Sequence, residues 1–188
     1  MTMEEILKIF QDSDALLEGH FLLTSGKHSN RYIQCAQVLK NPKSTETLVS
    51  ELAKKLTGKY DLVVGPAMGG VIVAYEMGRQ LGVSALFTER ENGKMTLRRG
   101  FEIPPQSRVL VVEDVITTGG SVKEVVELVE DAGGIVSDVA VLVDRSSGNH
   151  ALQAPPISLV KLQVETYAPE ACPLCKDSRP VKPGSRQI

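Results

Sequence analysis

The sequence predicts an α/β fold: a parallel, doubly wound central sheet with a small N-terminal hood segment and an irregular C-terminal tail. Two observations carry this. From about residue 58 onward, short β-branched runs ending in glycine or acid alternate with helical apolar patterns. Those runs are apolar almost throughout rather than on every second residue, as expected of strands covered on both faces. The 188 residues, 42% hydrophobic and 23% charged, are enough to build one sizeable core without disulfides. We expect one domain over residues 1–168, with a hood over about 1–40 and a core over about 41–168, followed by a Cys- and Pro-rich tail at 169–188.

Residues 4–10 (EEILKIF) read as a short amphipathic helix, and residues 20–39 as two short strands joined by a turn at Ser25-Gly26. Pro42 opens a helix expected to reach about Thr57, with Leu48, Val49, Leu52, Ala53 and Leu56 on one face. Asp61 to Gly65 is a strand, Gly70 to Leu81 a helix, and Ala85 to Thr88 a further strand. The charged stretch 89–102 (ERENGKMTLRRGFE) is a loop or mobile hairpin with Gly93 and Gly100 as flexible ends. Arg108 to Glu113 is the clearest strand. Ser121 and Glu124 have the spacing of a capping box for a helix through Asp131, with Val122, Val125, Val126 and Val129 as its buried stripe and Gly133 as its stop. Val139 to Val143 is another strand.

The chemistry concentrates in Val109–Val122, VLVVEDVITTGGSV. An apolar strand delivers two adjacent acids, Glu113 and Asp114, to its carboxyl end, where open parallel sheets bind ligands. The loop Thr117-Thr118-Gly119-Gly120-Ser121 then enters a helix. Its glycines allow close backbone approach, and its N–H groups and hydroxyls, with the helix N-terminus, suit a phosphate. Taken alone, such a loop is equally an ordinary tight turn. Two acids facing phosphate would repel it, so they are expected to face sugar hydroxyls. There is no GxxxxGK[ST] and no GxGxxG, which argues against a P-loop or a dinucleotide fold.

This segment resembles the phosphoribosyl pyrophosphate signature of type I phosphoribosyltransferases. Gly65-Pro66-Ala67 followed by Gly69-Gly70 is similar to the pyrophosphate loop of orotate phosphoribosyltransferases. Ser25-Gly26-Lys27-His28-Ser29 resembles their base-covering segment, and Asp144-Arg145-Ser146-Ser147-Gly148 their Asp-Arg motif. The resemblance implies transfer of a phosphoribosyl group to orotate in pyrimidine biosynthesis. It gives the ribose 5-phosphate to Asp114, Val115, Ile116, Thr117, Thr118, Gly119, Gly120, Ser121 and Val122, and the ribose hydroxyls to Glu113 and Asp114. It gives orotate to Thr118 and Arg145, with Ser25 and Lys27 on the base side. It gives the pyrophosphate to Arg90 and Lys94, in the partner's site of a homodimer. Magnesium is implied with the substrate pyrophosphate, with no dedicated protein metal site. Two positions depart from the family pattern. Met68 and Gly69 stand where many orotate enzymes have a lysine. Glu91 follows Arg90, and no histidine occurs in 91–101. Lys94, Arg98 and Arg99 remain as loop cations, the last two equally readable as a solvated pair.

A net charge of -2 gives no support to nucleic-acid or anionic-membrane binding. Three cysteines are too few for a secreted disulfide framework, and the acidic N-terminus lacks the layout of a signal peptide, so a cytoplasmic location is expected. Cys172-Pro173-Leu174-Cys175 supplies two of the four ligands zinc needs. Cys35 and a histidine are conceivable completions, but a purely structural tail is expected. Two rival functions stay open: transfer to a purine or to uracil, and a non-catalytic regulator that senses phosphoribosyl pyrophosphate.

Overall fold

The computed structural model describes residues 1–23, 25–146 and 148–183. The chain forms two compact units, one from residues 1–38 with 163–188 and one from residues 39–162.

The first unit takes both ends of the chain. Helix α1 (Met3–Asp12) starts on a capping box between Thr2 and Glu5 and buries Ile6 and Phe10. Strands β1 (Leu16–Leu22) and β2 (His28–Ile33) pair antiparallel, and the two-residue β9 (Thr166–Tyr167) adds to β2. The tail is less irregular than the sequence suggests. It forms 3-10 turns at Pro169–Ala171 and Pro173–Lys176, buries Cys172, and returns to β1 through Val181. Residues 184–188 lie outside the described part. A short helix, α2 (Ala36–Leu39), leads toward the second unit.

The second unit is built on a six-stranded sheet in the order β5-β4-β3-β6-β7-β8. Its strands are β3 (Leu62–Pro66), β4 (Ser84–Glu91), β5 (Lys94–Leu97), β6 (Arg108–Ile116), β7 (Ile135–Asp144) and β8 (Ile157–Lys161). Every pairing is parallel except β4 with β5. The run Ile157–Lys161, which the sequence reading passes over, completes the sheet as a parallel edge strand. Residues Val109 to Val112 of β6 are fully buried, as strands between two covering layers must be. Val109 and Val111 pack with Val122, Val125 and Val129 of α5 (Gly120–Asp131). Leu110 and Val112 alternate to the opposite face. Helix α4 (Gly69–Leu81) packs on that sheet and against α3 (Pro42–Ala53).

Two helix boundaries differ from expectation. Helix α3 ends at Ala53 rather than near Thr57, because Lys55 and Leu56 donate to Leu52 and Ala53 in tighter i→i−3 bonds. Lys55 then turns its Nζ to the carbonyls of Ser158 and Leu159, 2.8 and 3.0 Å away. The Ser121/Glu124 capping box does not form. Gly119 sits at φ 79° and starts α5 two residues earlier with no side-chain cap, which releases Glu124 for another partner.

The chain order matters for the site. From β3 the crossover through α4 runs one way to β4; from β6 the crossover through α5 runs the other way to β7. The switch point therefore lies between β3 and β6, where a crevice opens outside the strands' carboxyl ends. Because Leu110 is wholly enclosed in the central strand, Leu110→Ala is expected to cost about 2–5 kcal/mol. A urea melt would show a lower midpoint at unchanged slope; an unchanged midpoint would place Leu110 outside the cooperative core.

Candidate active site

At the switch point the loop after β3 and the end of β6 are pressed together. A Cβ on Gly65 would lie 2.4 Å from the Gly70 carbonyl oxygen, and one on Gly69 would lie 2.2 Å from a carboxylate oxygen of Asp114. Only glycine permits this approach. The loop is also held from the other side, where the Ala67 N–H donates to the Thr88 carbonyl at 2.8 Å. Thr88 itself is fully buried, and its hydroxyl has no hydrogen-bond partner among the described residues.

Strand β6 runs through the two acids rather than ending on them, and continues to Ile116. The Asp114 N–H donates to Glu113 Oε1 at 3.0 Å and the Val115 N–H to Asp114 Oδ1 at 2.8 Å. The Gly70 N–H also serves Glu113. Burial first, and the Asp114 charge second, push the Glu113 carboxyl from its ordinary 4.5 up to about 9. Asp114 is raised as well, by burial. Two carboxyls this close cannot both ionise cheaply, so the pair holds a proton near neutrality.

Beyond Ile116, Thr117 and Thr118 are exposed, Gly119 makes the left-handed turn, and Gly120, Ser121 and Val122 open α5. The loop is anchored from beneath by the Ala151 N–H, which donates to the Thr118 carbonyl at 2.9 Å. That support from residues 150–151 has no signal in the sequence. Arg145 is brought to the same rim: its N–H donates to the Ile116 carbonyl at 2.9 Å. Asp144, buried, organises the turn by accepting from the Ser146 N–H and hydroxyl at 2.8 and 2.6 Å. Ser147 of that motif lies outside the described residues. The structure thus gathers Glu113 to Val122 with Arg145 at the ends of neighbouring strands.

Arg90 and Lys94 stand apart from this cluster, on the β4–β5 hairpin. The turn is Asn92-Gly93, with both residues at positive φ, joining Glu91 to its partner Lys94. Gly93 is therefore the hairpin tip and not a flexible end; Gly100, at φ 70°, lies past the base. Arg90 makes two bonds to Glu124, at 2.7 and 2.8 Å, and a third to the Gly93 carbonyl at 2.9 Å. Lys94 is exposed at the start of β5. Arg99 is no idle surface cation: it grips Glu89 through two 2.9 Å bonds and lies over the Phe87 ring at 5.5 Å. Arg98 stands 3.6 Å from Glu91.

Ser25 and Lys27 belong to the first unit, exposed in the turn between β1 and β2, where Gly26 has φ 79°. In that unit Cys172 and Cys175 meet His20 and His28, with one donor atom of each within 4.8 Å of the others. The sequence offers Cys35 and one histidine as conceivable partners of the CxxC; the structure brings two histidines to it, and Cys35 is not in this group.

The Glu113 shift has a measurable consequence. Between about pH 4.5 and 9 the folded chain keeps a proton that the unfolded chain has released, so this group lowers stability as pH rises through that window. Glu113→Gln is expected to remove that slope, at most about 1.4 kcal/mol per pH unit, and to be most stabilising at the alkaline end. Denaturant melts of both unliganded proteins at pH 6 and pH 8.5 check it, and parallel pH profiles would reject it.

Comparison with known proteins fits this geometry. The phosphoribosyl transferase domain family matches residues 34–173. The orotate phosphoribosyltransferase of Desulforamulus reducens is 58% identical, and that of Pelotomaculum thermopropionicum 59% identical, each with all of both chains covered. The crystal structure of orotate phosphoribosyltransferase from Aeropyrum pernix superposes with a TM-score of 0.66 at 30% identity, covering 77% of this chain and 84% of that one. The family match and the full-length relatives show that the chain belongs to the phosphoribosyltransferase family, among the orotate phosphoribosyltransferases.

Proposed function

We propose that this protein transfers the phosphoribosyl group of 5-phosphoribosyl 1-pyrophosphate to orotate, giving orotidine 5′-phosphate and pyrophosphate in pyrimidine nucleotide synthesis. The observation that carries this reading is the Glu113–Val122 segment lying at the switch point with Arg145 on the adjoining strand end.

The anomeric carbon loses its bond to pyrophosphate oxygen as an orotate ring nitrogen forms its own bond from the opposite face. Positive charge develops on the ribose ring. No covalent enzyme nucleophile is needed, so positioning and electrostatics supply the acceleration. The loop Thr117 to Ser121 and the N-terminus of α5 hold the 5-phosphate. Glu113 and Asp114 accept from the ribose hydroxyls and favour the developing charge. Arg145 and Thr118 take the orotate end. The two acids are already bonded to backbone N–H groups, an arrangement suited to hydroxyl donors rather than to a metal cage built by the chain. That fits a magnesium ion ligated mainly by substrate oxygens and water. Such an ion offsets charge on the departing pyrophosphate when bound.

Arg90 and Lys94 act on the pyrophosphate of a second copy's site. Support for a second copy comes from α4 and the Met68 that caps it: Met68, Ile72 and Tyr75 are 85%, 42% and 71% exposed and recur at helical spacing on one apolar stripe. Arg90 must leave Glu124 to serve this role, and hairpin closure would then exclude water from the activated sugar.

Orotate loss followed by ultraviolet absorbance, with phosphoribosyl pyrophosphate and magnesium, tests the substrate. Uracil, hypoxanthine and adenine run in parallel. Consumption of orotate alone supports the reading; turnover of another base reassigns Arg145, and binding without any turnover favours a sensor. Arg145→Ala should raise KM for orotate about 10–100-fold. Asp114→Asn should lower kcat about 100-fold with the fold intact, and full activity would remove it from the ribose.

Shared sites have their own signature. Lys94→Ala and Asp114→Asn, each nearly inactive, should recover activity when mixed, because a mixed pair contains one intact site. Tyr75→Glu in both should abolish the recovery. No recovery in the mixture, with mixed dimers verified, would place Lys94 in its own chain's site.

A further inference from the structure

We propose that His20, His28, Cys172 and Cys175 form a structural zinc site that fastens the C-terminal tail to strands β1 and β2. His20 and His28 come from those strands, and the cysteines from the CxxC turn, where the Cys175 N–H donates to the Cys172 carbonyl at 3.3 Å.

The donor atoms are already aimed at one another. His20 Nδ1 lies 3.0 Å from the carbonyl oxygen of Ser178. A carbonyl can only accept, so Nδ1 carries the hydrogen and Nε2 keeps its lone pair. That Nε2 faces His28 Nδ1 at 2.9 Å, Cys172 Sγ at 3.5 Å and Cys175 Sγ at 3.9 Å. Cys175 Sγ is also 3.3 Å from His28 Nδ1. One lone pair can accept one hydrogen, so hydrogen bonding alone cannot satisfy three neighbours. A cation at the centre satisfies all four donors at once.

The spacing suits zinc. Donors bound at about 2.0–2.3 Å to a tetrahedral ion stand about 3.3–3.8 Å apart. Four of the six donor separations, 2.9–3.9 Å, bracket that range, and no two donors are more than 4.8 Å apart. Two thiolates with two imidazoles form a borderline-soft set that selects zinc and disfavours magnesium. The bond from His20 to Ser178 is the outer support that fixes the tautomer of a ligating histidine. His20, His28 and Cys172 are buried, so the ion would be largely shielded. Four protein ligands leave no open position for water or substrate, which makes the role structural and not catalytic. It is separate from the phosphoribosyl chemistry and stands whether or not that reading holds.

The test uses the full chain, purified under reducing conditions without chelator. Elemental analysis should find one zinc per chain. After chelation, Co2+ should give the visible bands of a tetrahedral ion and the near-ultraviolet thiolate charge-transfer band. Chelation should also expose Cys172 and Cys175 to a thiol reagent and the tail to protease. Cys175→Ser and His28→Ala should each lose the zinc, while Cys35→Ser keeps it. The Co2+ titration needs no variant, so the proposal remains testable if a substitution unfolds the protein. Three results would overturn it: no metal taken up by the reduced chain from excess Zn2+ or Co2+, a Cys172–Cys175 disulfide in place of metal, or undiminished zinc in Cys175→Ser.

Discussion

A buried carboxyl group, Glu113, and its half-buried neighbour Asp114 lie near the end of the sheet's central strand, and the surrounding backbone is arranged around making that tolerable. Burying an acid is costly unless it is hydrogen-bonded or neutral. Here both solutions operate: backbone N–H groups serve Glu113 and Asp114, and the pair retains a proton. The backbone of the preceding loop must come very close, which is why Gly65, Gly69 and Gly70 have no room for a side chain. The result is a dense, preorganised floor.

The sheet order then decides what can gather around that floor. Because the two crossovers depart in opposite directions, the ends of β3 and β6 are left uncovered by either helix, and β7 delivers Arg145 alongside. The hairpin of β4 and β5 is different in kind. It is a short antiparallel extension on an otherwise parallel sheet, tied down by paired charges at Arg90 and Arg99. Exposed ion pairs of this sort contribute little to stability.

Legibility in the sequence followed contiguity. The strand, acids, loop and helix of Val109–Val122 are consecutive, so periodicity and residue type place them without knowledge of the fold. Asp144 and Arg145 were readable for the same reason. What escaped notice depended on distant chain or on competition between local options. The spacing of Ser121 and Glu124 predicts a capping box, yet a left-handed Gly119 starts α5 and Glu124 pairs with Arg90 instead. Strand β8 is only five residues long, and its sole local marker is the preceding Pro155-Pro156. The stretch 89–102 reads as a loop or a hairpin, and Asn92-Gly93, a strong hairpin signal, decides for the hairpin β4–β5. His20 and Cys172 are 152 positions apart, so nothing local links them.

The return of the tail to β1 has a further meaning. In the three-stranded sheet, β1 pairs with β2 on one side only, leaving a row of backbone groups on the other. Val181 meets that row: its N–H donates to His20 and its carbonyl accepts from Leu22, at 2.8 and 2.9 Å. An unpaired edge is a template for strands of other molecules. The segment at Val181 thus covers the His20–Leu22 part of that edge, and whatever loosens it offers those backbone groups to strands of other molecules.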